Sequence, residues 1–122
     1  MQNFIKKGPN TIQSRSYNFA LNLVHFIQSL PQKDLAVAVI ARQVLRSGTS
    51  IGANIIEAQA GSSRKDFTNF INHALKSANE TLFWLSLLKD STKVPLSVDE
   101  LLTECTELAK ILGASVRSLK QK

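Results

Sequence analysis

The chain is short of the residues that usually carry chemistry. One cysteine, Cys105, stands among 122 residues, so neither an internal disulfide nor a cysteine metal cluster can form. The two histidines, His25 and His73, lie in different segments, and no Glu-x-x-His pair of the di-iron kind occurs. No metal and no cofactor are expected. A Ser/His/Asp order, a glycine-rich phosphate loop and paired catalytic carboxylates are likewise missing. The chain is therefore not expected to be an enzyme, and no small-molecule substrate is identified. Long apolar runs are scarce too. The longest, Leu35 to Ala41, is seven residues, too short to span a bilayer. The first residues hold no apolar core of signal-peptide length. These features together predict a soluble cytoplasmic protein without a membrane partner.

Helix breakers and aromatics are also sparse, with three prolines, five glycines and 7% aromatic residues. Against this, 43% of the chain is hydrophobic, mostly Ala, Leu, Ile and Val, which is ample for one packed domain. The net charge of +6 is uneven. Residues 1–76 carry nine Lys/Arg and three Asp/Glu, whereas residues 77–122 carry six of each. A basic first three fifths suits an anionic partner such as RNA or DNA, although the same charge also serves solubility.

Residues 1–10 read as an N-terminal tail and residues 11–120 as a single domain. Gly8-Pro9-Asn10 punctuates the tail, and Asn10 or Thr11 is placed to cap a first helix from Ile12 to about Leu30. That helix shows two apolar stripes. Tyr17, Ala20, Leu21 and Val24 form one, while Ile12, Phe19, Leu23, Phe26 and Leu30 lie nearly opposite. Pro31 ends it. A second helix runs from near Asp34 to about Gln59, with a seam of Val37, Ile40, Val44, Gly48, Ile51, Ile55 and Ala58. A further edge of Ala38, Leu45, Gly52 and Ile56 widens its apolar arc beyond the ~100° that one core requires. Ser63 with Asp66 resembles a capping box for a third helix to about Lys89, whose seam includes Phe67, Ile71, Ala74, Ala78, Leu82, Leu85 and Leu88. Phe83 and Leu87 point the other way. Ser97-Val98-Asp99-Glu100 reads as a capping box for a fourth helix to about Leu119, with one apolar seam through Leu101, Cys105, Leu108 and Leu112.

Four amphipathic helices joined by short turns predict an all-α, antiparallel up-and-down four-helix bundle. A lone copy is expected to leave Phe19, Leu23, Phe26, Phe83 and Leu87 uncovered, with Leu45 and Ile56 beside them. Large exposed apolar patches mark partner surfaces. A homo-oligomer joined through these residues is expected, with the fourth helix outside.

One pattern resembles a known bacterial family. Arg46-(x)3-Ser50-Ile51-(x)2-Asn54-Ile55-x-Glu57-Ala58 is similar to the small four-helix-bundle proteins encoded in intervening sequences of 23S ribosomal RNA genes. Ser63-Arg64-Lys65-Asp66-Phe67 and Ala78-x-Glu80-Thr81-(x)2-Trp84-Leu85 reinforce the likeness, which spans about Ser14 to Leu119. Family members often carry Pro where this chain has Gly52 and Gly where it has Ala58. The resemblance implies a ring-like homopentamer, no enzyme activity and a link to RNA. The chain also looks like a relative of the accessory proteins of diversity-generating retroelements, through Leu108 to Gly113. That likeness implies a reverse transcriptase as a further partner.

Two sets of residues are candidates for function. Arg46, Ser50, Asn54 and Glu57 share a slowly winding strip of the second helix. They suit a polar network or subunit interface, with Glu57 paired to an arginine elsewhere, better than a binding strip, because apolar residues flank them and buried charges need partners. Arg42, Arg46, Arg64, Lys65 and Lys76 are candidate phosphate contacts. Aromatics are not interleaved with them, so base stacking is not expected.

Overall fold

The computed structural model describes residues 11–121. The expected tail, with Asn10 as a possible cap, lies outside them. Four helices follow one another: α1 (Ile12–Gln28), α2 (Leu35–Ala60), α3 (Arg64–Ser91) and α4 (Ser97–Lys120). No strand occurs among the described residues. No helix among them is long and apolar enough to cross a membrane.

Local chemistry explains three of the four starts. The Thr11 hydroxyl accepts from the Ser14 N–H at 3.1 Å. The Asp34 carboxylate accepts from the N–H groups of Ala36 and Val37 at 2.8 and 3.2 Å. The Ser63 hydroxyl accepts from the Asp66 N–H at 3.1 Å. Each satisfies donors that a helix leaves orphaned in its first turn. The fourth start departs from expectation. Ser97 is already inside α4, its cap position is Leu96, and no side chain caps the end. The turn begins earlier, with the Val98 N–H donating to Pro95 O and the Asp99 N–H to Leu96 O. Pro95 has no N–H to satisfy and a pre-set φ, so a tight turn begins there. Ser97 thus takes helical rather than extended geometry and cannot act as a cap. Asp99 and Glu100 in the first turn still favour the helix dipole.

Each helix packs on two neighbours, α1 on α2, α2 on α3, α3 on α4 and α4 on α1, with no diagonal packing. The pairs are antiparallel. Ser47 meets Thr81 across α2 and α3, Lys89 meets Asp99 across α3 and α4, and Arg15 meets Glu104 across α1 and α4. At the core centre, the hydroxyls of Thr81 and Ser47 are 2.9 Å apart. Ser47 also lies 2.8 Å from Gln43 O, and Thr81 lies 2.7 Å from Ser77 O. Two hydroxyl protons serve this chain of oxygens, one joining the pair and one going to a helix carbonyl, so two buried polar groups are held without an orphaned donor.

The orientation of α1 corrects the sequence reading. Phe19, Leu23 and Phe26 are 1%, 0% and 4% exposed within a single copy. They are core residues, not an uncovered interface. Leu21, on the opposite stripe, is the exposed one. The reason lies on α2. A Cβ on Gly48 would overlap Leu23 Cδ2, and one on Gly52 would lie 3.3 Å from Ser16 Oγ. The two glycines form a notch into which the bulkier stripe of α1 sinks. Gly52 therefore belongs to the packing of α1 on α2, not to an edge reserved for a neighbouring subunit.

Candidate interaction face on the second and third helices

The outward stripes of α2 and α3 lie side by side. On α2, spacings of four, three, four, seven and four align Leu35, Val39, Arg42, Arg46, Ala53 and Glu57, all exposed. On α3, Lys65, Asn69, Lys76, Phe83 and Leu87 align in the same way, also exposed. The register set by Ser47 against Thr81 puts Val39 near the level of Leu87. One end of the face is thus apolar, with Leu35, Val39, Phe83 and Leu87 exposed by 80%, 44%, 59% and 38%. Arg42 stands within this end, level with Phe83 and Leu87, and the remainder is polar and carries the other cations.

Arg46 anchors the centre. Its guanidinium donates to Gln43 Oε1 at 2.9 Å and pairs with the Glu80 carboxylate of α3. Glu80 in turn accepts from Trp84 Nε1–H at 2.9 Å, and the Trp84 ring meets Phe83 edge to face with centroids 5.0 Å apart. These contacts hold the Glu80 carboxyl below its ordinary titration range, the Trp84 hydrogen bond first and the Arg46 hydrogen bond and charge after it. Trp84 is the single tryptophan, so its fluorescence reports this bond. On acidification, the emission is expected to titrate with a midpoint below the usual carboxylate range. Glu80→Gln should abolish the transition, and a transition surviving in that variant would place its source elsewhere.

The expected polar strip is only partly assembled. The Ser50 hydroxyl donates back to Arg46 O at 2.8 Å and the Asn54 amide to Ser50 O at 2.8 Å. These are contacts within the helix, of the kind polar side chains make to carbonyls four residues back. Glu57 is exposed and reaches no arginine of its own chain. Within one copy, the acid that Arg46 meets is Glu80 of α3. The spacing within α2 grouped Arg46 with Ser50, Asn54 and Glu57 and did not single out Glu80 on α3. Leu45 and Ile56 are half-buried at the border of the face.

The candidate phosphate contacts are spread along the bundle, not gathered. Arg42 and Lys65 lie near opposite ends, ~30 Å apart along the axis at 1.5 Å of rise per residue. Arg64 donates to Leu119 O at 3.0 Å, where it covers a free carbonyl at the end of α4. Arg42, Lys65 and Lys76 are exposed and make no ion pair with a described residue. His25 and His73 lie on α1 and α3, and among the described residues no group of three or more His, Cys, Asp or Glu could hold a metal.

This arrangement can be set beside known proteins. The chain matches the 23S rRNA-intervening sequence protein family over residues 9–114. It belongs to that family. A crystal structure from Bacteroides thetaiotaomicron VPI-5482, described as a protein with unknown function from the S23 ribosomal protein family, is similar to it. The two share 38% sequence identity with a TM-score of 0.77, over 87% of this chain and 98% of that one. No curated protein matches. The residues on which the sequence resemblance rests include Arg46 and Glu57, exposed on the outer stripe of α2, Ser50 and Asn54, half-buried beside it, and Glu80 and Trp84 on α3.

Proposed function

We propose that this chain is a non-enzymatic, cytoplasmic scaffold that assembles with copies of itself through the apolar end of the α2–α3 face and presents its cations to RNA. The observation that carries this reading is the outward patch of Leu35, Val39, Phe83 and Leu87, because four large apolar side chains grouped beside an ordered polar network mark a contact surface. A ring-like homopentamer is the assembly that the family resemblance supplies. Exposed Arg42, Lys65 and Lys76, repeated in every copy, would give such a ring many dispersed phosphate contacts. Binding of that kind is sequence-tolerant and steeply salt-dependent.

Native mass measurement and an RNA-binding salt series test both halves. The wild type is expected to form a single oligomer at micromolar concentration. Phe83→Asp with Leu87→Asp should shift it to monomer while leaving its helical signal intact, since neither side chain belongs to the core. RNA retention should fall steeply with salt, and Lys76→Ala should lower the salt slope by about one for each phosphate left without its lysine. A wild-type monomer would overturn the assembly. An intact oligomer that retains no RNA at low salt would overturn the RNA role and leave the apolar end for a protein partner. A reverse transcriptase is the partner that the retroelement likeness suggests, with the basic charge incidental.

A further inference from the structure

Antiparallel packing sorts the charges of α3 and α4 by end. Residues 77–122 carry six Lys/Arg and six Asp/Glu, but all six acids fall from Glu80 to Glu107. Residues 108–120 contain Lys110, Arg117 and Lys120 and no acid. In α3 the order is reversed, since residues 64–79 hold Arg64, Lys65 and Lys76 against a single acid, Asp66. Because the two helices run in opposite directions, their basic halves lie together, and Arg64 donates to Leu119 O at 3.0 Å where they meet. The acidic halves meet at the other end, where Lys89 pairs with Asp99.

At the basic end the cations stand on both sides of one seam. Arg64, Lys65, Lys76, Arg117 and Lys120 are all exposed and make no ion pair with a described residue. A Cβ on Gly113 would lie 3.4 Å from the Arg117 guanidinium and 3.9 Å from Leu75 Cδ1, so Arg117 lies along α4 on the side of α3. Asp66 is turned to the α2–α3 connection. A Cβ on Gly61 would lie 3.1 Å from the Asp66 Cβ, and the Asp66 carboxylate accepts from the Ser62 hydroxyl at 3.1 Å. Lys65 and Lys76 stand ~16 Å apart along the axis, and packed helix axes lie ~8–10 Å apart. Helix ends alone do not account for the grouping. Arg117 and Lys120 suit the negative end of α4, but Lys65 sits in the first turn of α3, where the dipole favours an anion.

We infer that this end of the α3–α4 seam holds the phosphate backbone of RNA, with Arg64, Lys65 and Lys76 on one wall and Arg117 and Lys120 on the other. Five cations spread over ~16 Å exceed the reach of one phosphate and match a chain of them. The inference rests on the RNA role proposed above and gives that role a place. The place lies at the end of the bundle opposite Leu35, Val39, Phe83 and Leu87, so assembly and RNA binding use separate surfaces.

RNA retention by the full-length chain across a salt series tests it, with native mass measured on each variant. Arg117→Gln with Lys120→Gln should weaken retention at least about tenfold and lower the salt slope by about two, one for each cation removed. Lys65→Gln with Lys76→Gln should do the same from the other helix. That second pair also takes a cation out of the first turn of α3, which favours the fold. Lys33→Gln with Lys93→Gln removes the same charge at the opposite end of the bundle, where the two lysines border one small pocket. It should weaken retention by less than about threefold, because charges that far from the bound phosphates are screened. Equal losses in all three variants would overturn the site and leave the RNA role as attraction to net charge. A wild type that retains no RNA at low salt would overturn the RNA role, and the site with it. Loss of the oligomer in the Arg117/Lys120 variant would also overturn the site, since those cations would then face the acidic end of a second copy.

Discussion

Leu23→Ala should lower the stability of this protein by about 3 kcal/mol, the middle of the range for emptying a fully buried leucine site. Its coupling to Gly48 makes the result specific to this fold. Leu23 is 0% exposed, and an added Cβ at Gly48 would overlap its Cδ2 atom. The leucine tip is flexible in principle, but the packed core leaves it little room to move. Gly48→Ala alone should therefore cost about 0–2 kcal/mol, an overpacking penalty of about 1–3 less the ~1 kcal/mol by which alanine favours a helix over glycine. In the Leu23→Ala background the obstacle is gone. There Gly48→Ala should be neutral or stabilising, a departure from additivity of about 2 kcal/mol. Gly52→Ala is the comparison. Its Cβ would stand 3.3 Å from Ser16 Oγ, a gap that a few tenths of an ångström relieves, so the helix preference should win. Urea unfolding at one fixed protein concentration, with the m-value checked, measures all four variants. Additive effects of Leu23→Ala and Gly48→Ala would show that the two sites do not meet.

Alkaline pH should destabilise the wild type through Cys105. Burial pushes this thiol up to about 12 from an ordinary 9.0, with the nearby Glu104 charge adding to the effect. The thiol also donates to Ala78 O at 3.4 Å, a bond that the thiolate could not make. The folded chain therefore keeps its proton where the unfolded chain loses it. Since the folded state binds more protons, stability falls as pH rises. The contribution is complete below pH 9 and is lost as pH climbs toward 12, in the limit on the order of 4 kcal/mol at 1.36 kcal/mol per unit. Other groups titrate in the same window, so the readout is the difference between wild type and Cys105→Ala. That difference should shrink by roughly 2–3 kcal/mol between pH 8 and pH 11. A constant difference would mean that the thiol is not desolvated. The same burial predicts that alkylation of the native protein at pH 8 proceeds only through unfolding, far more slowly than for a free thiol.

Both effects arise from residues whose type was evident in the sequence and whose neighbours were not. Cys105 was legible as a core position because it falls on the single apolar seam of α4, and one seam leaves only one way to face the bundle. Leu23 was harder. The α1 sequence carries two apolar stripes, and a helical wheel gives no reason to prefer either. The decision rested with Gly48 and Gly52 of α2, whose missing side chains admit the Phe19–Leu23–Phe26 stripe. Ser97 shows a different failure. Its motif was correct as a pattern, but Pro95 had already begun the turn.

Periodicity, caps and the α2 motif are local properties of the chain, so the number of helices, most of their ends, three of the four seams and the family were all readable from the residues alone. Three outcomes required the folded bundle: which face of α1 is buried, that Arg46 meets Glu80 of α3, and that Leu35, Val39, Phe83 and Leu87 share one end of the α2–α3 face. Each of those outcomes depends on the rotation and register of one helix against another. Rotation and register are set by how side chains from distant segments fill the space between two backbones, which the spacing within a single helix does not encode.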